Sequence, residues 1–317
     1  MATMTLLEYK KLVTNPTQAF VINEFLQSRL LQVLPFTDVQ GGGLFYNKTE
    51  RLPGVGFRGI NQPFNDDAGV MNPESEALKI FGGDMTVDVA IVDRYGMSAR
   101  EAHIQLKLEA ARLKFEKTFI KGDAQLSPEE FDGLQKRVTG RQLIANGADA
   151  TGNPLSINSL DTAIDQVKAG TGAKFLFLND TVKRRLEQYY RNTGNGTMIQ
   201  VTFDELGQPI ESYRGCQIIV LEDDEEGNPI LPFTETSPDG TSTTTNTSVY
   251  CARFGPLLTT GIQGPSNGVN GIYAEDFGRI QESPKYLTRV HWDCGMAILN
   301  GRSISRLAGV QDAPAVA

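Results

Sequence analysis

The sequence predicts an α+β fold in which early and late parts of the chain share a mixed sheet. Three observations carry this reading. A long amphipathic helix runs over residues 99–121, β-like runs return between Val249 and Leu299 with little helix among them, and a glycine-hinged ribbon lies near the front. The composition agrees. A chain of 317 residues with 40% hydrophobic and 21% charged residues suits one large or two moderate domains, and excludes collagen, a charged disordered chain or a coiled-coil rod.

Residues 1–40 read as a helical arm. Thr5 and Glu8 make a capping-box pattern ahead of Leu6, Leu7, Tyr9, Leu12 and Val13. Asn15-Pro16 opens a second helix, with proline at the first helical position, where its missing N–H costs nothing. From Ala19 to Leu34 the set Phe20, Val21, Ile22, Phe25, Leu26, Leu30, Leu31, Val33 and Leu34 covers one broad face, and Pro35 stops the helix. That face must dock on something.

Gly41–Gly43 forms a hinge. Leu44–Lys48 and Val55–Asn61, joined by the turn TERLPG, predict a two-stranded hairpin closed off by Pro63 and Asn65-Asp66-Asp67. An isolated ribbon of two strands is marginal in water, so it needs a surface to lie on. Phe81–Asp93 brings a second glycine pair, Gly82-Gly83, and the alternating strand Met85, Val87, Val89, Ile91. Ser98 with Glu101 reads as the N-terminal cap of the long helix, Ile104, Leu108, Ala111, Phe115 and Phe119 as its buried stripe, and Gly122 as its C-terminal cap. Residues 99–121 at ~1.5 Å each make a rod of about 34 Å.

From residue 140 the texture is α/β. Helices over Leu160–Lys168 and Val182–Tyr190 flank a buried strand at Lys174–Asn179, and Cys216–Leu221 reads as another strand. An acidic turn at Glu222–Glu226 and a polar loop at Thr234–Ser248 lead to strands at Val249–Phe254, Ile272–Ile280, Tyr286–Cys294 and Met296–Leu299.

Candidate chemistry is weak throughout. The net charge of −8 argues against a dedicated nucleic-acid binder. No apolar run approaches the ~20 residues of a membrane helix, and the start lacks a signal-peptide layout. Three cysteines, Cys216, Cys251 and Cys294, imply no disulfide framework and point to a reducing interior. Gly54-Val-Gly-Phe-Arg-Gly59 matches the dinucleotide fingerprint, but Pro53 precedes it and Ile60-Asn-Gln-Pro63 follows, so no helix can begin where the pyrophosphate would sit. His291 and Cys294 in HWDC lack a second ligand pair, and His103 falls on the long helix. Glu222–Asn228 lacks the ligand register of a calcium loop. We assign no catalytic, cofactor or metal residues, and expect no cofactor and no enzyme.

The order of parts nevertheless resembles a known family. TLLEYKKL near the start, LPGVGFR in the hairpin, FIKGD at 119–123, EFDGLQKR at 130–137, GIYAEDFGRI and LTRVHWDCGMAILNGRSISRLAGV are similar to phrases of tailed-bacteriophage major capsid proteins of the Hong Kong 97-type fold, and the resemblance covers nearly the whole chain. It implies an N-arm at 1–40, an extended loop at 41–75, a peripheral domain at 76–140 and 281–317 with its spine helix at about 98–121, and an axial domain at 141–280.

The same resemblance implies a virion protein that forms hexamers and pentamers of an icosahedral head around dsDNA, assembled in the bacterial host cytoplasm. Its implied partners are a separate scaffolding protein or none (the start at Met1 leaves no room for a cleaved one), a portal and a decoration protein. A loop lysine of some relatives forms an isopeptide bond; Lys48 lies in the matching element, with no partner or catalytic acid established by its context. An encapsulin-like compartment holding enzyme cargo is the alternative reading, and a nucleotide-binding α/β enzyme using the glycine hairpin is a third.

Physical reasoning leads to assembly as well. Leaving the nine large apolar side chains of the arm wet would cost on the order of 10 kcal/mol or more, which rivals the stability of a domain. Another copy is therefore expected to cover the front of the chain, with Phe20, Phe25, Phe45, Tyr46, Arg51, Phe57 and Arg58 as intersubunit contacts. The glycine hinges would let identical chains fit non-identical environments.

Overall fold

The computed structural model describes residues 3–51, 53–64, 67–147, 152–194, 199–203, 209–236, 245–266 and 269–316. The arm begins with β1 (Thr3–Thr5) and α1 (Leu6–Lys10), and the capping box forms: Thr5 Oγ1 accepts from Glu8 N, and the Glu8 carboxylate accepts from Thr5 N at 3.0 Å. Helix α2 (Pro16–Phe25) starts behind the Asn15 side chain, as expected, but it does not run on to Leu34. Ser28 interrupts it by accepting from Leu31 N and capping a separate short helix, α3 (Arg29–Val33). A serine side chain that satisfies a backbone donor makes a new helix start competitive with continuing the old one. Pro35 then opens β2 (Pro35–Asp38), which pairs with β1.

The ribbon forms with a different partner from the one expected. Strand β3 (Gly43–Arg51) pairs antiparallel with β4 (Val70–Ala77), from Gly43↔Ala77 to Arg51↔Val70. Residues 53–64, within which Val55–Asn61 was expected to be the return strand, are an irregular loop at the ribbon tip. Pro53 and Pro63 withhold donors from any ladder there, and three glycines between them weaken a strand.

Strand β5 (Lys79–Asp88) is followed by α4 (Val89–Tyr95), so Val89 and Ile91 are helical rather than extended. The Asp88 carboxylate accepts from Ala90 N at 2.8 Å and starts that helix. Gly82 is not a hinge: it lies in β5 opposite His291 with φ +152, where a Cβ would come within 2.0 Å of the Val290 carbonyl oxygen. The long helix α5 (Met97–Lys121) begins at Gly96, whose φ of 84 also closes α4, so Ser98 sits inside the first turn instead of capping it.

The rest of the chain builds α6 (Leu134–Arg137), β6 (Leu143–Ala145), β7 (Asn153–Ser156), α7 (Ile157–Gln166), β8 (Lys174–Leu178) and α8 (Asp180–Asn192). It continues through β9 (Ile199–Phe203), β10 (Pro209–Tyr213), β11 (Cys216–Val220), β12 (Asn246–Arg253), β13 (Thr259–Gln263), β14 (Pro265–Ser266) and β15 (Val269–Asn270). Strands β16 (Tyr273–Arg279), β17 (Lys285–Ile298) and β18 (Ile304–Val316) close it.

Two main sheets result among the described residues. A six-stranded sheet has the order β1-β2-β13-β17-β16, with β5 along the other side of β17. An eight-stranded sheet has the order β6-β18-β12-β8-β11-β10-β9, with β7 beside β18. Sheet membership therefore cuts across the expected boundary at residue 280, while the described strands change sheet at residue 140 as expected. Strands β13 and β16 join β17, while the closing strand β18 leaves β17's sheet for β12 and runs antiparallel to it from Asn246↔Gln311 to Ala252↔Ile304. Neither β13 (TTGIQ) nor β18 (ISRLAGVQDAPAV) reads as a strand from its composition. Burial and cross-strand pairing select them.

The larger core gathers around Trp292, which is fully buried. Phe115 of α5 stacks on it at 5.0 Å between ring centroids, Phe36 of β2 tilts against it at 5.1 Å and Phe25 of α2 meets it edge-on at 5.9 Å. Val21, Ile22, Leu30, Leu31 and Leu34 are buried in the same cluster. The expectation that the arm's apolar face waits for another copy is thus overturned: its own six-stranded sheet and long helix cover it. A second core lies between α7, α8 and the eight-stranded sheet, with Leu160, Leu176, Leu186 and Leu307 among its members.

Candidate assembly surface

The residues expected to contact other subunits separate into two groups. Phe25 is 1% exposed inside its own core, and Phe20 is half-buried against that core, so the arm positions are internal. Of the ribbon positions Phe45, Phe57 and Arg58 face outward, whereas Tyr46, also expected to meet another subunit, is half-buried at the ribbon base because its ring packs on the apolar cluster there. Phe45 is 83% exposed on β3 and Phe57 is fully exposed at the tip, beside Val55 at 93% and Ile60 at 94%. Phe64 is exposed too, and the Arg58 guanidinium lies 4.9 Å over its ring while donating to Gln62 O at 3.2 Å. Arg51 ends β3; its side chain lies outside the described residues.

The tip has internal order without a core. Gly54 N donates to the Asp67 carboxylate at 2.8 Å, tying the start of the loop to its end, and Gln62 N donates to Gly59 O at 3.3 Å. Covering Val55, Phe57, Ile60 and Phe64 completely would contribute roughly 6 kcal/mol or more. Within the described chain nothing buries them.

The ribbon base, in contrast, is bolted down. Tyr46 Oη donates to Glu74 at 3.0 Å, and Lys48 pairs with the same carboxylate at 3.2 Å. Burial, helped by Glu76 and Glu74, pushes the Tyr46 hydroxyl pKa well up, so it stays a donor. The Arg137 guanidinium grips Glu76 with both arms, one at 2.7 Å. Val39, Leu44, Ile262 and Ala297 form a small apolar cluster beneath, with Tyr46 packed against it. A rigid base carrying an apolar tip is a lever: it fixes where the tip points without covering it.

Other sequence candidates have structural roles. Asp224 of the acidic turn is buried, accepts from Glu226 N at 3.0 Å and Asn228 N at 2.8 Å, and pairs with Lys117 of α5 at 2.7 Å. The lysine, aided by those backbone donors, holds the Asp224 carboxyl down at about 2. Cys294 is fully buried, which pushes its thiol up, and His291 lies 3.3 Å from Asp293. Gly54–Gly59 lies in the tip loop with no helix after it. Among the described residues no cluster of three or more His, Cys, Asp or Glu could hold a metal ion, and no helix is long and apolar enough to cross a membrane.

Val55, Ile60 and Phe64 were not among the expected contacts, because Val55–Asn61 reads as a return strand rather than as a loop at the tip. The bracketing prolines were the available signal. Reading the sequence also missed the Glu76–Arg137 tether, which joins positions too far apart in sequence for any local pattern to link.

Residues 87–217, from the end of β5 through α5 to β11, match the family model described as the SU10 major capsid protein. The fold as a whole is similar to a subunit of the holo-SrpI encapsulin complex from Synechococcus elongatus PCC 7942, at 16% identity and TM-score 0.63, covering 98% of this chain and 97% of that one. It is also similar to the capsid of the native GTA particle, at 14% identity and TM-score 0.57 over 89% of each chain. A chain of Mycobacterium phage Bobi matches at 14% identity and TM-score 0.56, over 89% of this chain and 90% of that one. The fold is of the Hong Kong 97 type, the one these capsid and encapsulin subunits share. No curated protein matches the chain in sequence. In this fold the outward apolar tip rests on a braced base, and α5 packs into the core through Phe115 on Trp292.

Proposed function

We propose that this chain builds the icosahedral head that encloses the dsDNA genome of a tailed bacteriophage, with hexamers and pentamers held by ribbons reaching onto neighbouring subunits. The observation that carries the reading is the pairing of a completed subunit core with an uncovered apolar tip on a braced ribbon. Chains that finish their own fold and still present such a patch gain by covering it in symmetric contacts. In this reading residues 41–77 are the extended loop. The six-stranded sheet with α5 forms the peripheral region, and the eight-stranded sheet with α7 and α8 forms the axial one. A scaffolding protein, a portal and a decoration protein belong to the same reading, as does assembly in the host cytoplasm. The role is structural rather than enzymatic.

An encapsulin-like compartment is the second reading, favoured by the likeness to the SrpI encapsulin complex over 98% of this chain. Electron microscopy of purified protein with and without a candidate scaffold tests the shell itself; only monomers or small closed oligomers under all conditions would sink it. Particles from infected cells containing nuclease-protected DNA support the head, whereas shells filled with a co-purifying protein and no DNA select the compartment.

A further inference from the structure

Beside the ribbon base lies a cleft of about 1180 Å³ whose charged lining is entirely basic: Lys48, Arg137, Arg141, Lys168 and Arg302. This is unexpected in a chain of net charge −8. Lys48 and Arg137 are engaged by Glu74 and Glu76. Arg141, Lys168 and Arg302 are exposed and have no ion pair among the described residues. They come from three separate segments: the short 3-10 turn Gly140–Gln142, the loop after α7 and the 3-10 turn Gly301–Ser303. Backbone bonds hold two of these together, since Lys168 N and Ala169 N both donate to Arg302 O, at 3.2 and 3.3 Å. The same wall contains Gln142, whose Oε1 is buried without a hydrogen-bond partner.

We infer that this cleft receives an acidic turn from a second copy of the chain, making a charge-paired contact separate from the apolar tip. The inference rests on the shell reading. Its size favours a chain segment over a small ligand, whose pockets run roughly 300–1,000 Å³ and are mostly apolar. A peptide turn brings both what the three cations need and what Gln142 Oε1 needs, carboxylates and backbone N–H donors. A DNA backbone has acceptors alone, and a recessed cleft does not admit a duplex. The chain carries a matching segment. Glu222, Asp223 and Glu226 are exposed around a turn whose shape is set by buried Asp224 on Lys117. Rigid presentation lowers the ordering cost of such a contact.

The test is a charge swap read by particle yield. Arg141→Glu with Arg302→Glu is expected to lower assembly about tenfold or more, as loss of charge-assisted contacts does, with the subunit's melting temperature unchanged; Arg141→Gln with Arg302→Gln gives a smaller loss. Adding Glu222→Lys and Asp223→Lys to the first pair restores particles. If wild type and both cleft variants assemble equally, the cleft contact is wrong and the shell reading stands. If the swap fails to rescue, the second-copy assignment is overturned, and salt-dependent binding of a DNA oligonucleotide that needs the same arginines would reassign the cleft to nucleic acid. If wild type forms no shell at all, the shell reading fails and takes this contact with it.

Discussion

The arm and the ribbon tip are both apolar segments near the front of the chain, yet they end in opposite states. The arm's Phe25 is packed edge-on against Trp292, and Leu30, Leu31 and Leu34 share its core. The tip's Phe57 and Ile60 touch nothing that buries them. An apolar face is thus no evidence for a missing partner until its own fold has been searched for one. What separates the two is the sheet: the arm threads β2 against β13, which brings its helices over the core, whereas β3 and β4 pair only with each other and carry the tip away.

The largest expected effect is on assembly. Phe57→Ser with Ile60→Ser lowers particle yield at least about tenfold, as loss of apolar anchors at an interface does, while chemical denaturation of the unassembled subunit shifts by no more than about 0.5 kcal/mol. A matching loss of stability would mean the tip belongs to the subunit core after all. Phe25→Ala should do the reverse, costing about 3–5 kcal/mol of subunit stability. An unchanged denaturation midpoint would return the arm to the list of intersubunit contacts.

The ribbon base lies between these extremes. Glu76→Gln leaves a mostly buried guanidinium without its carboxylate and should cost about 1–3 kcal/mol, less than a fully buried pair because both side chains retain some exposure. Hydrogen exchange along β3 and β4 should rise with it; no change in either would show that the apolar cluster under Leu44 suffices. The smallest effect is pH-dependent. Asp224 has a folded pKa near 2, below the unfolded value of about 3.9, so its stabilisation is full above pH ~4 and is lost as the pH falls through the folded value. The difference in melting temperature between wild type and Asp224→Asn should be clear at pH 6 and shrink steadily between pH 4 and 2. A difference constant with pH would remove the ion pair with Lys117 as its cause.

Much of the fold was legible because local signals were strong. The Thr5–Glu8 box, Asn15-Pro16, the stripe of α5 and the apolar run Lys174–Leu178 all lie where periodicity and caps put them. The errors occur where two local choices are nearly equal. Ser28 could sit within a helix or start one, Asp88 could end a strand or cap a helix, and Gly96 displaced Ser98 as the start of α5. Phe45, Phe57 and Arg58 were legible as side chains on a ribbon that needs cover, and all three are exposed in the structure. Phe25 was misplaced for the same reason that made it conspicuous, since hydrophobicity marks burial without naming the partner.

Order along the chain was therefore readable from residues alone: an arm, a glycine-hinged ribbon, one long helix, an α/β stretch and late strands, each encoded by signals within a few positions of itself. Pairing was not. That β3 returns through β4, that β18 joins β12, that Trp292 collects the arm and that Arg137 clamps Glu76 are settled by contacts between distant positions. Those contacts depend on which surfaces can be buried together in three dimensions, and no window of sequence contains both sides of them.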